Sequence, residues 1–151
     1  MKFTDIERVI VNFQGDKTLG SGTSEDVVRL AETQLSSNIA GSYRQFLKRY
    51  GWVDIGANEI YGLGDDIPAY LELTSNTFWE RNEAFRRLPA HMVPVYNDGF
   101  GNLYVLDTDQ IIDGENPIYF WDHEGLPDQS AEYVADSFAA WLCNELMANE
   151  E

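Results

Sequence analysis

The chain has 151 residues, 44% of them hydrophobic, with a single cysteine and a formal net charge of −16. That length suits one domain that can bury roughly two thirds of its unfolded surface, so no disulfide or structural metal is needed to hold a core. The charge excludes nucleic acid and anionic lipid as direct partners, because binding phosphates requires Lys and Arg to release counterions, and the 8 Tyr, 8 Phe and 4 Trp exclude a disordered acidic tail.

The N-terminal stretch MKFTDIERVIVNF reads as a helix. Phe3, Ile6, Ile10 and Phe13 share one face, and Thr4 with Glu7 has the spacing of a capping box. Its acidic residues and the lack of a small-residue cleavage site predict no signal peptide. No apolar run approaches the roughly 20 residues of a membrane span. With one cysteine, a reducing compartment is the natural reading, so the expected location is cytoplasmic. Residues 15–22 read as a glycine-bearing loop.

A second helix is expected from Ser24 to Ser37, with Ser24 as N-cap and Val27, Leu30, Ala31 and Leu35 as its apolar stripe. A third is expected from Ser42 to Tyr50, where Tyr43, Phe46, Leu47 and Tyr50 recur at helical spacing and Gly51 marks the stop. The period then changes. Trp52, Val53, Ile55 and Ile60-Tyr61 indicate one or two short strands around Gly56, and residues 62–68 a loop. A fourth helix is expected from Thr74 to Leu88, ending before Pro89.

Val93–Tyr96, the glycine-rich turn 97–102 and Leu103–Asp107 form an antiparallel hairpin pattern. Ile118–Trp121 follows as another strand after the turn at residues 113–116. These strands are apolar or aromatic throughout, which predicts cover on both faces. A closing helix is expected from Asp136 to Met147, burying Phe138, Trp141, Leu142 and Leu146. Helices, strands, a helix, a hairpin with a third strand and a last helix make an α+β fold: an antiparallel sheet packed against several helices in a single domain.

Little in the chain carries chemistry. There is no G-x-S-x-G elbow. Cys143 sits among the apolar positions of the last helix and reads as a core thiol. His91 and His123 lie in different segments without a partner motif, so no zinc site is expected. Gly62-Leu63-Gly64 lacks the third glycine of a dinucleotide loop, and Asp65-Asp66 would repel a pyrophosphate. Asp107, Asp109 and Asp113 miss the register of a calcium loop. Asp122-His123-Glu124 is the one cluster suited to proton transfer; its simpler reading is a strand end leading into the turn at residues 125–127. No catalytic residue, metal or cofactor is therefore expected.

Four segments in order resemble the SUKH (Smi/Knr-like) superfamily: Tyr43-x-x-Phe46-Leu47-x-x-Tyr50-Gly51; Ile60-Tyr61-Gly62; the run Val93–Asp107 with its glycine turn; and Pro117–His123 followed by Ala135–Leu142. Length and layout look most like YobK-type immunity proteins. One departure is Gly51-Trp52, where many members carry Asn-Gly. The resemblance implies an α+β fold and an antitoxin that binds and blocks a cognate toxin, often a nuclease. The alternative is a regulatory or scaffolding domain of the same fold, and a second alternative is a small hydrolase using Asp122, His123 and Glu124. The negative charge serves either solubility or the steering of a basic partner. Acids beside aromatics at turns and strand ends, namely Asp65, Asp66, Tyr70, Asp98, Phe100, Asp122 and Glu124, are the expected partner-binding residues.

Overall fold

The computed structural model describes residues 1–149. Its five helices are α1 (Phe3–Asn12), α2 (Glu25–Leu35), α3 (Gly41–Arg49), α4 (Leu73–Asn82) and α5 (Phe138–Ala148). Its strands are β1 (Lys17–Leu19), β2 (Val53–Ile55), β3 (Asn58–Ile60), β4 (Met92–Asn97), β5 (Leu103–Asp107), β6 (Ile118–Trp121) and β7 (Glu132–Ala135). The strands form one sheet in chain order, every neighbouring pair antiparallel. The fold is thus α+β, with the helices on an antiparallel meander.

The main core lies where α1, α3 and α5 pack together over one face of the sheet. Phe46 sits at its centre, its ring 5.1 Å from Phe138, 5.8 Å from Tyr43 and 5.9 Å from Tyr50. Tilted and offset arrangements at such distances suit the ring quadrupoles. The predicted faces of α1, α3 and α5 are all buried. Cys143 is buried as well, and burial pushes its thiol up to about 11, which removes the thiolate needed for nucleophilic chemistry.

The segments that carry the resemblance meet in space. The Tyr43 hydroxyl donates to the Tyr61 carbonyl at 2.7 Å, and the Leu63 N–H donates to the Gly51 carbonyl at 3.0 Å. A Cβ built on Gly62 would lie 1.6 Å from that same Gly51 oxygen, so only glycine allows the two backbones to approach. Ser42 lies in the first turn of α3, and its N–H and hydroxyl donate to the Glu115 carboxylate at 2.9 and 2.8 Å. That carboxylate answers the orphan amides of the helix start. The Ser42 hydroxyl in turn accepts the Ala139 N–H of α5 at 3.0 Å.

Both faces of the central strands are covered, as their composition predicts. Leu103, Val105 and Trp121 point away from the main core and join Leu88 and Met92 in a smaller cluster on the opposite face. A register shift between Pro94 and Tyr96 is a β-bulge that lets both Val95 and Tyr96 face the main core.

Five expectations are corrected. β1 lies within the stretch expected to be a loop, and β7 within the stretch left without structure; both are exposed edge strands held by backbone pairing. Helix α1 is capped two residues earlier than Thr4, at Lys2, whose N–H donates to Asp5 at 2.7 Å. On α2, Ser24 caps as expected, but the buried residues are Val28, Ala31 and Leu35, while Val27 and Leu30 are exposed. The fourth helix stops at Asn82, not Leu88. Beyond it the chain turns so that Leu88 can enter the cluster on the second face, which a continued helix would not permit.

Candidate functional site

The fourth helix is inverted relative to the others. It buries Leu73, Thr77 and Glu80 and leaves Phe78 51% and Trp79 56% exposed. Thr77 is satisfied by donating to the Leu73 carbonyl at 2.7 Å. Arg81 anchors the helix to α2 and β4 through the carbonyls of Leu35 at 2.6 Å and Met92 at 3.0 Å. With that anchor facing inward, the two aromatics one turn earlier are carried outward.

The β4–β5 turn is built from its own side chains. Asp98 accepts the Phe100 N–H at 2.8 Å and the Asn102 N–H at 3.2 Å, an Asx arrangement that closes the loop. Asn102 gives its amide NH₂ to Asp98 at 3.1 Å and accepts from His123 Nδ1 at 2.7 Å. Gly101, at φ +95°, lies against the His123 ring, where a Cβ would stand 3.0 Å from it. Through Asn102 the turn at residues 97–102 is therefore locked to the turn after β6. Four of the predicted residues, Asp98, Phe100, Asp122 and Glu124, share this end of the molecule, and Phe100 is 82% exposed.

The arrangement of Asp122, His123 and Glu124 is not that of a proton relay. Asp122 turns its carboxylate to the Glu124 N–H at 2.9 Å, and His123 spends Nδ1 on Asn102. Glu124 lies 3.5 Å from His123 Nε2 with its side chain 82% exposed. The amide of Asn102 occupies Nδ1, where the orienting carboxylate of a relay would stand, and Asp122 is spent on a backbone N–H, so the three side chains form no hydrogen-bonded chain among themselves.

The other three predicted residues neighbour α2 and the β2–β3 hairpin. Asp66 is structural in its contacts: it accepts from the Trp52 indole at 3.1 Å and from Ser21 N–H and hydroxyl at 3.1 and 3.0 Å. The Trp52 bond, followed by those from Ser21, holds its carboxyl below the usual range. Asp65 is exposed beside Val27 and Leu30 in a shallow groove. Tyr70 is 63% exposed, and the neighbouring Glu59 carboxylate raises its phenol. Asp54 and Glu59 face each other directly across the β2–β3 hairpin, where like charges are destabilising. Burial first and then Glu59 raise the Asp54 carboxyl.

The antiparallel pairing of β4 and β5 also brings together His91, Asp107 and Asp109, each offering a ligand atom within 4.8 Å of the others. In the sequence Asp107 and Asp109 stand beside Asp113, and His91 stands apart. Nitrogen and carboxylate donors suit a divalent cation, but Asp107 is already engaged by the Asp109 N–H at 3.0 Å and Gln110 at 2.7 Å.

Comparison with known proteins places the chain. The profile of SUKH_6, described as SMI1-KNR4 cell-wall, matches residues 25–142. The chain belongs to the SUKH family. A relative of this SUKH protein is the "SPbeta prophage-derived uncharacterized protein YokK" of Bacillus subtilis (strain 168), 25% identical over 94% of this chain and 85% of its own length. The SUKH match takes in α2 to the middle of α5, and so includes the inverted helix and the locked turns. Among the described residues, no helix is long and apolar enough to cross a membrane.

The linear reading missed Phe78, Trp79, Glu80 and Phe85. The expected helix over residues 74–88 carried no assignment of a buried or an exposed face. A signal was present: Leu73, Thr77, Glu80 and Ala84 repeat at helical spacing, a stripe that excludes Phe78 and Trp79.

Proposed function

We propose that this protein is an immunity protein that neutralises a cognate bacterial toxin by stoichiometric binding, with no reaction of its own. The observation that carries the reading is the surface around α4 and the β4–β5 turn. It presents Phe78, Trp79, Phe85 and Phe100 to solvent on a chain of net charge −16. Exposed aromatics clustered beside polar groups mark interaction sites, and aromatic anchors dominate binding energy at interfaces. The opposed acids Asp54 and Glu59 cost folding stability and so favour a role in attracting a partner. A nuclease fits as the partner, since its phosphate-holding surface is basic. SUKH membership supports the same reading.

The test is co-expression with the toxin domain encoded beside the gene. That domain alone should arrest growth, this chain should restore it, and the two should co-elute as a one-to-one complex. Unrelieved arrest together with separate elution overturns the proposal. A second reading, a regulatory or scaffolding domain, is favoured by the description of the matching family as cell-wall. It predicts a non-toxin partner in affinity purification.

A further inference from the structure

Between α4, the segment that follows it and the two locked turns lies a pocket of about 330 Å³, lined by Trp79, Glu80, Phe85, Asn97, Gly101 and His123 among others. Glu80 is 9% exposed, and its carboxylate makes no hydrogen bond to any described residue. Burial raises its carboxyl, and the only charged group acting on it is His123, which lowers it. An acid so placed is costly unless it is paired. Arg86 also lines the pocket, but its guanidinium is committed elsewhere. It lies 3.7 Å from the centre of the Trp121 ring and donates to the carbonyls of Asp122 at 2.8 Å and Leu126 at 3.2 Å. The pocket therefore has an acidic floor whose one titratable neighbour among the described residues is the His123 imidazole, with no arginine or lysine paired to it. Its rim is aromatic: Trp79 is half-exposed and Phe85 fully so.

We propose that this pocket receives an arginine side chain of the partner protein, its guanidinium paired with the Glu80 carboxylate and stacked against Trp79 and Phe85. The inference rests on the binding reading above and names the contact at its centre. A guanidinium is planar, weakly hydrated, able to pair bidentately with a carboxylate and to lie on an aromatic face. An ammonium, compact and strongly hydrated, gains less there. A basic partner supplies such side chains, and the charge of this chain draws them in.

The experiment is a titration near neutral pH, followed by amide and indole NMR, with N-acetyl-arginine-N-methylamide as probe. Its lysine counterpart and its neutral citrulline counterpart run in parallel. The arginine probe should shift the Trp79 indole and the Gly101 and His123 amides saturably, with a dissociation constant in the millimolar range. The citrulline probe should not. Glu80→Gln should weaken the arginine probe at least tenfold, or about 1.4 kcal/mol, and Phe85→Ala, at a fully exposed position, should weaken it several-fold without disturbing the fold. Equal binding of the citrulline or lysine probe, retained affinity in Glu80→Gln, or no saturable shift at Trp79 overturns the proposal. The two readings fail separately. Undiminished complex formation between Glu80→Gln and the toxin sinks the arginine pocket alone, whereas no complex with the wild-type chain sinks the toxin reading.

Discussion

Helices α3 and α4 differ by one residue in length but use their faces in opposite ways. α3 buries Ser42, Tyr43, Phe46 and Leu47 and keeps Lys48 and Arg49 outside. α4 buries Thr77 and Glu80 and sends Phe78 and Trp79 into solvent. One helix is organised for folding: its aromatic and aliphatic side chains go to the core, and Lys48 and Arg49 to solvent. The other gives up hydrophobic burial that its own sequence would supply, a choice that folding alone does not explain. Where a chain departs from the pattern that its neighbours obey, function is the expected reason.

Substitutions sharpen this contrast. The largest effect is expected at the centre of α3. Phe46→Ala leaves a cavity among Tyr43, Tyr50 and Phe138 and should cost about 3–5 kcal/mol by urea denaturation. Gly62→Ala pushes a Cβ into the Gly51 carbonyl and should cost about 1–3 kcal/mol as overpacking. Glu115→Ala strips the start of α3 of its acceptor and should cost about 1 kcal/mol, as the loss of a helix cap does.

On α4 the expected signs differ. Glu80 has a folded-state carboxyl raised above its ordinary value. The native state therefore holds the proton more tightly than the unfolded chain, and stability falls as pH rises from the ordinary glutamate range through the raised value. Glu80→Gln should accordingly gain stability over wild type at neutral pH, and the gain should vanish in acid; thermal denaturation across pH reads this directly. A loss at neutral pH would mean that the carboxylate has a native partner. The smallest effect is expected at Phe85→Ser and Phe100→Ser. Each should stay within about 0.5 kcal/mol of wild-type stability yet weaken partner binding, as calorimetry with the cognate toxin would show. A large loss of stability at either position would remove the contrast between the core helix α3 and the exposed aromatic surface around α4.

The strongly periodic elements were legible in the sequence. Phe3, Ile6 and Ile10 in α1, Tyr43, Phe46 and Leu47 in α3, and Phe138, Trp141, Leu142 and Leu146 in α5 are buried as their spacing predicts. The hairpin turn at residues 97–102 was legible because its Asn, Asp and Gly residues impose the loop locally. β1 and β7 were not. Lys17, Thr18 and Leu19 are all exposed, as are Glu132, Tyr133 and Val134, so neither strand carries an alternation to read. Edge strands of that kind exist only because a neighbour offers backbone partners.

The site was legible in part. Asp98, Phe100, Asp122 and Glu124 were named from turn chemistry, and the contact of Asn102 with His123 joins their two turns across a distance in sequence that no local pattern spans. By itself the sequence determined the α+β class, the core of α1, α3 and α5, and the acidity of the whole, because periodicity and charge are properties of the chain. Only the tertiary structure decided which way α4 faces. That orientation is set by Arg81 reaching carbonyls of α2 and β4, and by Leu88 leaving the helix for the far side of the sheet. These long-range contacts turn Glu80 inward and the aromatics out.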